Sequence, residues 1–531
     1  MNNFYDQRKF IMLQNLETLK AALWKSADAM RATMNADQYQ DYLLCLVFYK
    51  YISDRQLYTV VELLEEKVET LDEAQIIYEK AENSEEYTDL QEELRAAYGY
   101  DIKPEYTFTN FINRIKDKTF LLGNLNQAFR DIEQSNSHAY SDLFETFDID
   151  SKALGDTPQK RNEIVSAVMM CLADVNFIDY GADALGDAYE YLISQFAASS
   201  GKKAGEFYTP QKVSELITRI VVQGKEDQKG FSIYDPCMGS GSLLLQIRKY
   251  IKKENFKFVN FFGQEIKNTT YNLARMNMML HNVPVANQYL HSGDTLDKDW
   301  PTSEPTTFDA TVMNPPYSQT WSAIDGFLTD PRFSPYERLA PKKTADFAFL
   351  LHGFYHLKDD GCMGIVLPHG VLFRGAAEGT IRKHLLEEGS IYAVIGLPAN
   401  IFTSTGIPTC VLILKKNNKS RDVLFIDASK DFVKVKTTNV LTEEHINKIM
   451  DAYNNRQDVE KYAHLATFEE IQENDFNLNI PRYVDTFEEE APIDIEATFK
   501  ELQSYIAQEK ELNNSLNDSF KELGLNNTLG E

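Results

Sequence analysis

Residues 311–320 read TVMNPPYSQT. The run FDATVMN has the texture of a buried strand, and Pro315 and Pro316 stop it, because proline cannot extend a buried ladder. The stop leaves the Asn314 side-chain oxygen at the strand end. The stiff Pro315-Pro316 turn also frees main-chain carbonyls from the ladder, that of Pro315 first. Tyr317 adds a flat apolar face. Two acceptors beside an aromatic plane suit a planar substrate with an NH2 on its edge. The bland alternative is a proline-terminated strand with a capping asparagine.

A second cluster lies upstream in FSIYDPCMGSGSLLLQIRKY, which reads as strand, glycine turn and helix. Gly239 and Gly241, with Ser240 between them, let the backbone turn tightly and approach a ligand. No lysine follows in the GxxxxGK[ST] spacing, which excludes a P-loop. A dinucleotide fingerprint needs a third glycine where this chain has Leu244. The remaining reading is an S-adenosylmethionine loop, with Asp235 at the strand end catching the methionine ammonium. Glu265 follows about 24 residues beyond the glycine turn, where a second strand would offer a carboxylate to ribose hydroxyls. Asp294, in HSGDTL, stands where a third strand should end and could accept from the adenine amine.

These side chains need a sheet to hold them. FSIYD, VNFFGQE, FDATVMN, CMGIVLP, IYAVIGLP, CVLILKK and DVLFIDA are short β-type runs, the first of them apolar on both faces. Helical stretches such as SLLLQIRKYIKKE and DFAFLLHGFYHLK separate many of them. The expected class is α/β, a doubly wound Rossmann-like sheet with ligands at the strands' carboxyl ends. Residues 1–165 read as an N-terminal helical domain, 166–485 as the domain holding the site, and 486–531 as a helical tail. In the tail, Ile495, Phe499, Leu502 and Ile506 form one apolar stripe, and Leu512, Leu516, Phe520 and Leu523 a second. The phase slips between them, giving one irregular helix or two. Such a tail folds back or docks on a partner.

The 531 residues carry a formal net charge of −26 and scatter five cysteines without CxxC spacing. Neither a disulfide framework nor a metal ligand set follows. His352 and His356, four apart on a helix-like run, have a spacing that could hold a metal, but without carboxylate neighbours they are read as a helix-face coincidence. With no signal-peptide core and no long apolar span, the expected location is the cytoplasm. A chain this acidic repels phosphate backbones on average, so work on nucleic acid needs a local basic surface or a basic partner. PRFSPYERLAPKKTAD, with Arg332, Arg338, Lys342 and Lys343, either tracks phosphates or is a solvated loop.

DPCMGSGS (235–242) and NPPY (314–317) resemble motifs I and IV of amino-methyltransferases that use S-adenosylmethionine. GKKAGEFYTP (201–210) resembles the motif preceding motif I in the gamma order of adenine-N6 DNA methyltransferases. PHGVLFRG (368–375), GLPANIFTSTGIPTCVLILKK (396–416), DFNLNIPRYV (475–484), the helical N-terminal region and the tail resemble the modification subunit of type I restriction–modification systems. The resemblance spans nearly the whole chain.

It implies that Phe207, Tyr208, Thr209 and Pro210 line a cofactor pocket and that Asp235, Gly239, Ser240 and Gly241 hold the methionine end. Glu265 would take the ribose and Asp294 the cofactor adenine. Asn314, Pro315, Pro316 and Tyr317 would hold a flipped-out target adenine. It also implies double-stranded DNA as substrate, a separate specificity subunit as sequence reader, a motor–nuclease subunit for cleavage, and two copies per complex. Pro236-Cys237 resembles the nucleophile of cytosine-C5 methyltransferases but lies in the glycine loop, so Cys237 is read as packing. The alternatives are a protein-glutamine N5 methyltransferase, which shares NPPY, and a catalytically silent scaffold.

Overall fold

The computed structural model describes residues 16–31, 34–175, 177–199, 208–297, 299–402, 405–436, 438–486 and 495–524. They form two compact units, Met1–Val484 and Asp485–Glu531.

The first unit begins with helices packed around an aromatic core. Its spine is α1 (Ala36–Leu63), whose Tyr49 ring meets Phe129 edge-on at 5.1 Å between centroids, while Phe129 stacks on Phe144 at 4.1 Å. The helix α2 (Phe177–Ser199) belongs to the same core through Leu185, Tyr189, Leu192 and Phe196. The expected boundary at 165 falls inside the helix Pro158–Ala173. A further helix, α3 (Gln211–Val221), leads into the sheet.

The sheet strands are β1 (Ser232–Asp235), β2 (Asn260–Glu265), β3 (Gln288–Ser292), β4 (Phe308–Met313), β5 (Leu357–Pro368), β6 (Ile391–Gly396), β7 (Thr409–Lys415) and β8 (Val423–Asp427). A hairpin, β9 (Val433–Val435) with β10 (Thr438–Val440), follows, and β11 (Ala463–Ala466) ends the series. The nine-stranded order is β11-β8-β6-β7-β5-β4-β1-β2-β3. Strands β1 to β5 run parallel, and β7 lies antiparallel between β5 and β6. All seven β-type runs read in the sequence are strands. The chain reverses its winding at β1, which pairs with β2 on one side and β4 on the other. That is the switch point where ligands bind in such sheets.

Apolar side chains cover both faces. α3 and α7 (Glu443–Asn455) pack on one, and α5 (Asp346–Tyr355) with α6 (Ala376–Glu387) on the other. Between β2 and β3 lies α4 (Asn268–Leu280), which serves two cores at once. Its Ala274 and Met278 join the sheet, while Met276, Met279 and Leu280 join the helical core. The Arg275 guanidinium donates to the carbonyls of Ala139 and Ser141 at 2.7 and 2.8 Å, fastening the helical region to the sheet.

The second unit holds one unbroken 28-residue helix, α8 (Ile495–Glu522), which settles the question left by the phase slip. Most of its large apolar residues are exposed, from 46% at Leu516 to 78% at Ile495, while Phe520 is half-buried. No helix among the described residues is long and apolar enough to cross a membrane.

Candidate active site at the carboxyl ends of β1, β2 and β4

Four strand ends, those of β1, β2, β3 and β4, and one helix start meet around a single cavity. Its wall includes Thr209, Asp235, Gly239, Ser240, Glu265 and Asp294. Asn314 and Pro316 complete the side nearest β4. Sequence positions more than a hundred residues apart therefore converge as the motifs require.

The turn after β1 explains the glycines. Gly239 and Gly241 have φ of 54° and 76°, the left-handed region that disfavours side chains. The Met238 amide donates to Gln264 O at 3.0 Å and the Gly241 amide to Met238 O at 2.8 Å, closing the turn. Asn277 of α4 donates to Ser240 O at 2.9 Å and braces it from behind. The helix after this turn is shorter than expected. Ser242–Leu245 is one α turn, followed by a 3-10 turn at Gln246–Lys249.

Asp235 is 2% exposed and accepts from the Cys237 amide at 2.9 Å. Burial pushes its carboxyl well above the usual carboxylate range, opposed by that hydrogen bond and reinforced by nearby Glu265. Burial also raises Glu265, against hydrogen bonds from the amides of Lys267, Gly239 and Ile266. Two buried carboxylates that repel each other favour a cationic guest. The ammonium and sulfonium of S-adenosylmethionine have that charge, so this donor set fits the cofactor. Asp294 accepts from the Leu296 amide at 2.9 Å. Burial raises the Cys237 thiol, with Asp235 and Glu265 adding to the effect, so a nucleophilic thiolate is disfavoured there.

At the end of β4, Asn314 Nδ2 donates to Thr209 Oγ1 at 3.2 Å, and the Tyr317 hydroxyl donates to Asn314 Oδ1 at 2.7 Å. The Tyr317 ring meets Phe402 edge-on, centroids 6.2 Å apart, and Pro315 is buried. Neither residue lines the cavity. The Ser318 amide donates to Asp346 of α5 at 2.8 Å, fixing the exit of the turn.

The other expected residues fall around this core. Gly241 shapes the turn without lining the cavity. Tyr208 packs against the helical core, and Pro210 stands at the N-cap of α3. Phe207 lies outside the described residues. The structure corrects two readings of the sequence. Arg332 does not face phosphates: it is 1% exposed and donates to Asp330, Thr295 O and His352 Nδ1. His352 and His356 also engage Tyr234 and Asp299, so their spacing serves a buried network.

Sequence reasoning missed Ile266, Thr295, Gln319 and Phe349 on the cavity wall. Ile266 alone left a signal: an apolar residue, 57% exposed, inside the polar turn after β2.

Comparisons with known proteins show the family to which such a chain is similar. The profile of the N-6 DNA Methylase family matches residues 180–491, and that of the HsdM N-terminal domain matches residues 19–170. The type I restriction enzyme MpnII methylase subunit of Mycoplasma pneumoniae is 34% identical over 524 residues, covering 94% of this chain and 95% of its own. The MjaVIII methylase subunit of Methanocaldococcus jannaschii is 33% identical, covering 87% and 77%. A crystal structure of a type I restriction–modification methyltransferase subunit from Streptococcus thermophilus is 58% identical, with a TM-score of 0.86, covering 88% of this chain and 100% of its own.

Proposed function

The chain belongs to the N-6 DNA methylase family, as a type I restriction–modification methylase subunit, and on that premise we propose how its site performs adenine-specific methyl transfer. Asp235 and the turn at Gly239–Gly241 hold the methionine end of S-adenosylmethionine, Glu265 its ribose and Asp294 its adenine. Bound there, the cofactor supplies an electrophilic methyl group. Thr209, at the start of α3, closes the pocket from the helical side, flanked by Tyr208 and Pro210.

The target adenine leaves the duplex at a cost of about a few kcal/mol. Its exocyclic nitrogen is a poor nucleophile because the lone pair spreads into the ring. Asn314 Oδ1 and the Pro315 carbonyl accept its two hydrogens, localise that pair and aim it at the methyl group. Positioning and electrostatics supply the catalysis, and no strong base is needed. Stacking on Tyr317 returns about 1–3 kcal/mol. Tyr317 reaches that pose only after its hydroxyl leaves Asn314.

Sequence reading belongs to a separate specificity subunit, for which the apolar stripe of α8 is the docking element. Two copies of this chain join it, a motor–nuclease subunit adds cleavage, and the assembly works in the cytoplasm. The profile match at residues 19–170 leaves the protein-glutamine alternative without an account of that region.

The observation that carries this reading is Asn314 on the same cavity wall as Asp235, Glu265 and Asp294. The test is Asn314→Ala in cells carrying the native neighbouring subunits. N6-methyladenine should vanish from one split sequence motif across the genome while the purified variant still binds the cofactor. An unchanged methylation map would refute the assignment.

A further inference from the structure

The segment between β8 and α7 leaves the sheet as the hairpin β9–β10, paired antiparallel from Thr438↔Val435 to Val440↔Val433. Successive side chains of a strand point to opposite faces, yet Val433, Lys434 and Val435 are all exposed, the two valines at 50% each. The first strand of the ribbon is thus uncovered on both faces, while Asn439 of the second is buried. Phe432 and Val440 add exposed apolar surface at its base. A two-stranded ribbon is marginal in water by itself, and its valines fit a surface that covers them.

Charge indicates which surface. In a chain of net charge −26, the stretch from Ala428 to Leu441 carries Lys430, Lys434 and Lys436 against one acid, Asp431. That acid is only 9% exposed and is engaged by Lys448 at 2.8 Å and the Tyr462 hydroxyl at 2.7 Å. The hairpin therefore presents positive charge. It is also tied to the catalytic turn. Asn439 donates its amide to Asn400 O at 2.9 Å and its Nδ2 to Ala399 O at 2.7 Å. Two residues beyond Asn400, Phe402 meets the Tyr317 ring.

We propose that β9–β10 is a DNA-gripping arm of this subunit. Lys434 and Lys436 contact phosphates flanking the flipped adenine from one face of the ribbon, and Val433 and Val435, on its other face, lie against the opposite wall of the groove it enters. The inference rests on the adenine-methyltransferase reading and adds a surface where the acidic chain itself meets the duplex.

The experiment uses the assembled complex with its specificity subunit and a duplex carrying its site. Wild type is compared with Lys434→Ala/Lys436→Ala and with Lys434→Arg/Lys436→Arg. The alanine pair should raise the KM for DNA about tenfold or more and lower the log–log salt slope by about 2, near one unit per lost phosphate contact. Cofactor affinity and kcat at saturating DNA should stay within about twofold, and the arginine pair should behave as wild type. An unchanged KM and slope would overturn the proposal. So would a complex that fails to assemble, which would make the hairpin a contact for another protein. A wild-type complex that leaves adenine unmethylated would instead overturn the underlying reading.

Discussion

Asn314 is gripped from both ends of its amide. Thr209 Oγ1 accepts from Nδ2 and so points Oδ1 the other way. Only that orientation presents an acceptor to an incoming amine. Thr209→Val keeps the shape and removes the acceptor. We expect kcat for methyl transfer to fall about 10- to 100-fold, because small misplacements of reacting groups are costly. The cofactor KM should barely move, and Thr209→Ser should restore the rate. Steady-state kinetics on the assembled complex, with DNA and cofactor varied separately, checks this. Asn314 and Thr209 were both legible in the sequence, but their contact was not. They are 105 positions apart, and no local pattern reports a bond that the fold closes. Tyr317 shows the same limit: its ring chemistry was readable, its resting place against Phe402 was not.

The sheet divides labour between its two ends. At the carboxyl ends lies the chemistry; at the amino ends lies a polar anchor. Asp309, near the start of β4, accepts from the Ser232 amide at 2.9 Å and hydroxyl at 2.8 Å on β1, and from Lys358 Nζ at 2.9 Å on β5. Burial works to raise its carboxyl, but hydrogen bonds from Lys358, Gln228 and Ser232 together outweigh burial and hold it at about 2. Because the folded value lies below the unfolded one, this contribution is full at neutral pH. It is lost as pH falls from about 4 towards 2. Asp309→Asn should cost about 1–3 kcal/mol at pH 7, with a difference from wild type that shrinks in that acid window. Denaturant unfolding at several pH values measures both. Methyl-transfer kcat should be unaffected, since the anchor is at the far end of the strands. The buried strands were readable because both faces are apolar. β3 was located only by inference from Asp294, since QYLHS is half-exposed and carries no such run. β9, β10 and β11 gave still less: the first two are three residues each, and the third is placed by β8, far back along the chain.

On the scale of the whole chain, the helical region and the glycine turn are mechanically joined. α4 carries Arg275, which grips the carbonyls of Ala139 and Ser141, and two residues on Asn277, which braces Ser240. Neither link was visible in the sequence, where an arginine and an asparagine within a helix look like ordinary surface residues. The helix α8 was visible, because its apolar residues recur at helical spacing. Removing residues 485–531 should leave a folded chain that binds S-adenosylmethionine with near-wild-type affinity. It should no longer co-purify with the specificity subunit or methylate its split motif. Calorimetry of the truncated chain and co-expression pull-down test the two halves separately.

On the proposed mechanism, the bond from Tyr317 to Asn314 makes target capture a substitution rather than an addition. An adenine entering the pocket must evict a hydroxyl already seated on the oxygen it needs, trading one hydrogen bond for another of similar strength. Only a base with a donor at that edge can complete the trade. A base presenting a carbonyl there would face a lone pair and leave the tyrosine in place. On that mechanism, rejection of the wrong base begins at the Tyr317 hydroxyl, before any methyl group is transferred.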